Sequence, residues 1–240
     1  MNHLVDSGFM IGHYPISFSV TIDDFPWHKR VKVIAGLPPD YPNTLLKQEF
    51  EDKVAEVHLT LRRNTITVLF LRVYSSARTY LLNGQRPDLV EIQSTKGLGK
   101  AILCFGIQQA WAYFGENVLG SFSDLVIDLE TNATHFYEPS EFDVLVDQNR
   151  YLSKNDIIAQ LIAWFPKLDE VALYNELYQK PDYKLYKLFT AHKENHQLAT
   201  YYQNTYGFEP VPPEDDYLSL VEDTSIVMEA SASVIFQHCA

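Results

Sequence analysis

The stretch QSTKGLGKAILCFGIQQAW, residues 93–111, decides how the middle of this chain folds, because two glycines stand directly before an amphipathic run. In that run and just beyond it, apolar residues recur at steps of three and four, which predicts a helix with one buried face: Leu103, Cys104, Ile107, Ala110, Trp111 and Phe114. The preceding DLVEIQ, residues 88–93, predicts a strand. The chain here therefore runs from a strand through a glycine loop into a helix.

Gly97 and Gly99 allow two interpretations. The first turn of a helix has N–H groups without helical partners and the positive end of the helix dipole, and together these bind phosphate. Glycine would let the phosphate approach closely, and Lys96 and Lys100 would add positive charge. Alternatively, the glycines only relieve steric strain in a tight turn.

The composition indicates a globular protein with an acidic surface. Of 240 residues, 46% are hydrophobic, and 31 acidic side chains outnumber 19 basic ones, which gives a formal net charge of −12. Such a charge repels nucleic-acid backbones and attracts cationic ligands such as amines. We therefore expect no nucleic-acid partner.

The sequence predicts a cytoplasmic protein without a membrane partner. Residues 1–15 lack the basic and apolar regions of a signal peptide, and no segment reaches the ~18 uninterrupted apolar residues of a membrane helix. Two cysteines, Cys104 and Cys239, are too few for a disulfide framework, and Cys104 lies in an apolar run as a small core residue.

Hydrophobic periodicity and turn signals predict the other elements. Strands are expected at 16–22, in a hairpin over 56–75 that turns at Arg63 and Asn64, and at 123–130, 142–146, 183–191 and 224–231. Helices are expected at 44–56, at 167–179, and at 196–206 with its end at Gly207. A further helix is expected to begin after Ser153, where Ser153 and Asp156 form a capping box. Hairpins mixed with strand–helix crossovers predict an α+β (mixed α/β) fold.

The segment NHQLATYYQNTYGFEPV, residues 195–211, resembles the closing signature of the GNAT family of acetyl-CoA-dependent N-acetyltransferases. That signature runs approximately N-x-x-A-x-x-[LF]-Y-x-x-x-G-F. The corresponding residues here are Asn195, Tyr201, Tyr202, Gly207 and Phe208, with Leu198 at the alanine. One extra residue separates Tyr202 from Gly207.

The resemblance implies a mixed, mostly antiparallel sheet flanked by helices, in a single domain over 1–240 with an inserted segment at about 116–182. The glycine loop would be the pyrophosphate loop of the family, [QR]-x-x-G-x-[GA], with Ser94 where Gln or Arg is expected. In the family a strand precedes the closing helix, and residues 183–191 would supply it. The implied binding residues for acetyl-CoA are Ser94, Thr95, Lys96, Gly97, Leu98, Gly99, Lys100 and Asn195.

The resemblance also implies a reaction, transfer of an acetyl group from acetyl-CoA to a primary amine by direct attack. Tyr202 matches the tyrosine that protonates the departing thiolate, and Glu91, on the strand before the glycine loop, is the carboxylate candidate for the base, which could act through water. Further base candidates are Glu56, His58 and His192. The acceptor would be a small-molecule or peptide amine.

No metal site is predicted, although His192 and His196 stand four residues apart. Two other functions remain open at this stage. The chain could be a non-catalytic GNAT-like module that binds CoA or a protein partner, or an unrelated interaction protein whose glycines are only structural. Its oligomeric state would be a monomer or a homodimer.

Overall fold

The computed structural model describes residues 3–11, 14–25, 28–38, 53–73, 97–115, 121–131, 152–212 and 222–239. This part of the chain has an α+β fold, as predicted, with eight strands and five α-helices. The strands are β1 (His3–Ile11), β2 (Tyr14–Phe25), β3 (His28–Gly36), β4 (Lys53–Arg62), β5 (Thr65–Val73), β6 (Val126–Glu130), β7 (Glu209–Pro210) and β8 (Val227–Ser231). The helices are α1 (Leu98–Phe114), α2 (Lys154–Trp164), α3 (Glu170–Gln179), α4 (Asp182–Tyr206) and α5 (Ala232–Cys239).

The strands form one mixed, mostly antiparallel sheet in the order β1-β2-β3-β4-β5-β6-β8-β7. Strands β1 to β5 pair with their sequence neighbours in antiparallel register. The pairing changes at β5, where Thr65 lies opposite Val126 in a parallel ladder with β6. A parallel pair needs a crossover connection, and α1 lies in that connection.

The predicted hairpin is confirmed as β4 and β5, with Arg63 and Asn64 in the turn. Arg63 has a φ of 53°, a left-handed conformation that such tight turns require.

Helix α1 packs closely on β4 at Gly106. A Cβ added at Gly106 would lie 2.9 Å from Leu59 Cδ1 and 3.1 Å from Val57 Cγ1, so the absence of a side chain there allows the close contact.

Helix α1 confirms the prediction from the 93–111 stretch. Its buried residues include the predicted apolar stripe except for Trp111, which is half-buried. Cys104 is buried as expected, but it is disulfide-bonded rather than a free thiol. The predicted strand at 123–130 is confirmed as β6, and a short 3₁₀ helix, Phe122–Asp124, precedes it.

Two element predictions are wrong. The helix expected at 44–56 is wrong over residues 53–56, which belong to β4, and residues 44–52 lie outside the described part of the chain. The strand expected at 183–191 is helical, because Leu185, Leu188 and Phe189 recur at helical spacing and pack against α2 and α3. The strands expected at 88–93 and 142–146 lie outside the described residues.

The chain divides into two compact units. The first comprises 1–129, 205–207 and 229–240, and the second comprises 130–204 and 208–228. The second unit has its own apolar core between α2, α3 and α4: Ile157, Ile158, Leu161, Leu173, Leu177, Leu185, Leu188 and Phe189. A single domain with an insertion at about 116–182 stays a prediction. None of the helices that the structure describes is long and apolar enough to cross a membrane.

Candidate functional site

The start of α1 is the first candidate site, and Gly97 defines it. Gly97 has a φ of 90°, a left-handed conformation that glycine adopts without strain. It stands at the N-cap position, where no side chain caps the helix, and its carbonyl accepts a hydrogen bond from Ala101 N at 2.9 Å. Among the described residues, no atom lies within 4 Å of the position that a Cβ on Gly97 would take. The described part of the chain therefore leaves room beside Gly97, as a phosphate-binding turn requires.

Gly99 has a different role from Gly97. A Cβ at Gly99 would lie 3.0 Å from Tyr206 Oη and 3.1 Å from Val73 Cγ2. The absence of a side chain at Gly99 thus allows close packing against the ends of α4 and β5. This is the structural role that the sequence also allowed. The sequence patterns did not indicate Tyr206, which is 2% exposed, as a neighbour of the glycine loop, although it directly precedes Gly207 of the closing signature.

Two other residues of the predicted loop contact the protein itself. Leu98 is fully buried, so only its backbone is available to a ligand. Lys100 Nζ donates a hydrogen bond to His238 O at 3.0 Å, near the end of α5. A cation is favourable there because the last carbonyls of a helix carry partial negative charge. The remaining predicted loop residues, Ser94, Thr95 and Lys96, and the candidate base Glu91 lie outside the described residues.

Asn195 was predicted to bind the cofactor, and its amide contacts protein groups in the structure. The residue is 1% exposed. Its Nδ2 donates to Ala191 O at 3.1 Å, one turn earlier in α4, and to Thr224 Oγ1 at 3.4 Å. The side chain therefore links α4 to the segment before β8, in the second unit.

Tyr202, the predicted acid, lies on α4 with its ring centroid 6.3 Å from that of Phe208 and 5.7 Å from that of Tyr201. Burial, with a smaller contribution from Tyr201, raises the pKa of the Tyr202 phenol above its usual range. The phenol therefore remains protonated at neutral pH, which is the form that an acid needs.

Glu56 and His58, two of the further base candidates, form a pair on β4. His58 Nε2 lies 3.1 Å from Glu56 Oε2, and Lys32 Nζ on β3 lies 3.6 Å from the same oxygen. Glu56 is only 6% exposed, so the lysine compensates a buried carboxylate. Burial lowers the pKa of His58, and the hydrogen bond to Glu56 opposes this effect only in part. His58 is therefore a neutral imidazole near pH 7, able to accept a proton.

His192 and His196 lie on one face of α4 in the second unit, each within ring contact of Trp164. Among the residues that the structure describes, no group of three His, Cys, Asp or Glu side chains could hold a metal ion.

No protein-family model matches the chain, and neither the curated proteins nor the solved structures contain a significant match to it.

Proposed function

We propose that this protein is an acyl-CoA-dependent N-acetyltransferase, which moves the acetyl group of acetyl-CoA to a primary amine. The observation that carries the proposal is the start of α1. This helix lies in the crossover between the parallel strands β5 and β6, and it begins at a left-handed glycine whose Cβ position has no described atom within 4 Å. The N–H groups of its first turn form an anion site suited to the pyrophosphate of CoA.

The closing segment supports the same proposal. Helix α4 ends at Tyr206, and Gly207 follows with a φ of 78°, so the glycine of the signature has the conformation that ends a helix. One part of the resemblance is not met, because residues 183–191 are helical where the family has a strand.

The proposed reaction needs two proton transfers. The amine nitrogen attacks the thioester carbonyl, the C–S bond breaks, and the thiolate of CoA takes a proton from the Tyr202 phenol. A base removes a proton from the amine, directly or through water. Glu91 is the base that the resemblance favours, and the pair of Glu56 and His58 is a second candidate because His58 is neutral near pH 7.

A non-catalytic module that binds CoA or a protein partner is the second candidate function. Two observations favour it. The Lys100 ammonium binds the His238 carbonyl, and the Asn195 amide binds Ala191 and Thr224, so two predicted cofactor residues have protein partners.

The first experiment measures thermal unfolding with and without acetyl-CoA. A ligand at 100 times its Kd should add about 2.7 kcal/mol to the free energy of unfolding. Gly97→Ala should weaken acetyl-CoA binding about tenfold. The alanine would disfavour the left-handed backbone that orients the first N–H groups of α1, and its methyl group would restrict the approach of the pyrophosphate to them. Gly8→Ala is the matched control, since Gly8 also has a positive φ and no described atom within 4 Å of its Cβ position, but lies on β1. Absence of any stabilisation by acetyl-CoA contradicts both the enzyme and the CoA-binding module.

The second experiment separates these two functions by measuring release of free CoA thiol with a panel of amines. Turnover supports the enzyme, whereas acetyl-CoA binding without turnover supports the module. Tyr202→Phe should lower kcat about 100-fold, as expected for loss of a general acid. Tyr201→Phe is its control, because Tyr201 is the exposed neighbour on the same helix. Equal kcat values for Tyr202→Phe and the wild type would rule out Tyr202 as the acid.

A further inference from the structure

The second unit contains a cavity that the proposed reaction does not use. Its volume is about 560 Å³, within the range of small-molecule sites. The end of α2 provides Trp164 and Phe165, and one face of α4 provides His192 and His196. The rest of the wall consists of Glu130, Ala199, Thr200, Gln203, Pro210, Val211, Pro212, Asp223, Ser225, Ile226 and Val227.

The aromatic side of this cavity is held in place by packing. The Trp164 ring centroid lies 4.6 Å from that of His196 and 5.8 Å from that of His192. Trp164 also stacks on Phe189 at 5.6 Å with an interplanar angle of 13°, which anchors the indole to the core of the unit. Phe165 meets His192 edge-on at 5.3 Å, and His192 is 3% exposed. The cavity therefore has an aromatic wall that packs against the core of the second unit.

Two carboxylates lie in the described wall of the cavity. Glu130 and Asp223 line it, and the described residues of its wall include no lysine or arginine. Asp223 is fixed in orientation, because its Oδ1 accepts hydrogen bonds from Ser225 N at 3.1 Å and from Ser225 Oγ at 2.7 Å. Burial lowers the pKa of His196, so its imidazole adds no positive charge near neutral pH.

Carboxylates beside an aromatic wall are complementary to an organic cation. The carboxylates attract the charge, an indole face binds a cation through its ring electrons, and the apolar part of the ligand can contact Val211 and Ile226. We propose that this cavity binds an organic cation, an amine or quaternary ammonium group carried on an aromatic or branched apolar body. The proposal does not depend on acyl transfer, because it uses only the geometry of the second unit.

Isothermal titration calorimetry on the full chain, without acyl donor, tests the proposal. The probes are phenethylamine and benzyltrimethylammonium, with 2-phenylethanol as the neutral isostere and phenylacetate as the anion. We expect the cations to bind with a Kd at least about tenfold lower than the neutral isostere, and no binding of the anion. Equal Kd values for a cation and the neutral isostere, or no cation binding at millimolar concentration, would contradict the proposal that the cavity binds an organic cation.

Variants then locate the site. Glu130→Gln combined with Asp223→Asn should raise the Kd of the cations about three- to tenfold, as expected for the loss of two exposed charges, and leave the Kd of the neutral isostere unchanged. Both changes keep the side-chain shape, and the amide oxygen that Asp223→Asn introduces can still accept from Ser225. Glu170→Gln is the matched control, because Glu170 is exposed in the same unit and outside the cavity.

A third variant tests the aromatic wall. Trp164→Phe keeps a ring in the core and should weaken cation binding about threefold, because a phenyl face binds a cation less strongly than an indole face. If the double variant and the Glu170→Gln control bind cations equally well, the cations do not bind in this cavity.

Discussion

At the residue scale, Gly207 is the position where we expect the largest effect of a single methyl group. Its φ of 78° disfavours any side chain, and a Cβ would lie 2.6 Å from Val234 Cγ1 and 2.8 Å from His238 Cδ2 on α5. Gly207→Ala should therefore lower the free energy of unfolding by about 2–4 kcal/mol, from backbone strain and overpacking together. Urea denaturation measures the change.

Gly8→Ala separates these two contributions. Gly8 has a φ of 74°, but no described atom lies within 4 Å of its Cβ position. It should therefore show the backbone effect alone, about 1–2 kcal/mol. If Gly207→Ala costs no more than Gly8→Ala, then α5 does not pack on Gly207 as described.

His58 makes the stability of the first unit depend on pH. Its folded pKa lies below the ordinary 6.5 because of burial and of Lys32 and Arg30 on β3, while Glu56 partly opposes the shift. As the pH falls, His58 therefore takes up its proton at a higher pH in the unfolded chain than in the folded chain. The contribution of neutral His58 is fully present above about pH 6.5 and is lost as the pH falls through the folded pKa.

The variant His58→Gln tests this linkage. We expect the wild type to lose stability between about pH 7.5 and pH 5.5, and the variant to lose less over the same interval, since it cannot take up that proton. Denaturant titrations of both proteins across this range provide the comparison. Parallel curves would show that His58 has the same proton affinity in the folded and unfolded chains.

The two glycines of the loop illustrate what the sequence could predict at this scale. The G-x-G pattern correctly indicated a turn before a helix. It could not distinguish Gly97, whose Cβ position has no described neighbour, from Gly99, whose missing side chain makes room for Tyr206 and Val73. That distinction depends on two side chains that are distant in sequence, and no local pattern records such contacts.

At the scale of elements, the capping box at the start of α2 carries a specific prediction. Ser153 Oγ accepts from Asp156 N at 3.2 Å, and Asp156 Oδ2 accepts from Ser153 N at 2.9 Å. Ser153→Ala should lower the free energy of unfolding by about 1 kcal/mol and speed amide hydrogen exchange in the first turn of α2. Ser153→Thr keeps the capping oxygen and should stay close to the wild type. Similar losses in both variants would mean that the hydroxyl does not cap this helix.

The capping box and the 183–191 segment show why one helix was predictable and the other was not. Ser153 and Asp156 give a local signal, which the structure confirms. In YKLYKLFTA the aromatic and branched residues favoured a strand, but the segment continues directly into 196–206, and its apolar face completes the core of α2 and α3. Tertiary packing decided the element type of this segment, and a short sequence window contains no information about such long-range contacts.

At the scale of the whole molecule, the fold class followed from local periodicity, but the sheet order did not. The hairpin of β4 and β5 is a contact between neighbours in sequence. By contrast, β8 joins the sheet next to β6, although a large part of the chain separates Glu130 from Val227. Acetyl-CoA binding, Tyr202 and Glu91 came from a resemblance, and they stay predictions that the proposed experiments test.

The change from antiparallel to parallel pairing at β5 also has a consequence for protein synthesis. Strands β1 to β5 can pair as soon as Val73 has left the ribosome, because each partner is already present. Strand β6 cannot cover the edge of β5 until α1 and Val126 have been made, several seconds later at about 5–20 residues per second. During that interval the nascent chain presents an open strand edge, which favours association with other chains. The position of α1 in the sequence thus sets how long the edge of β5 waits for β6 during synthesis.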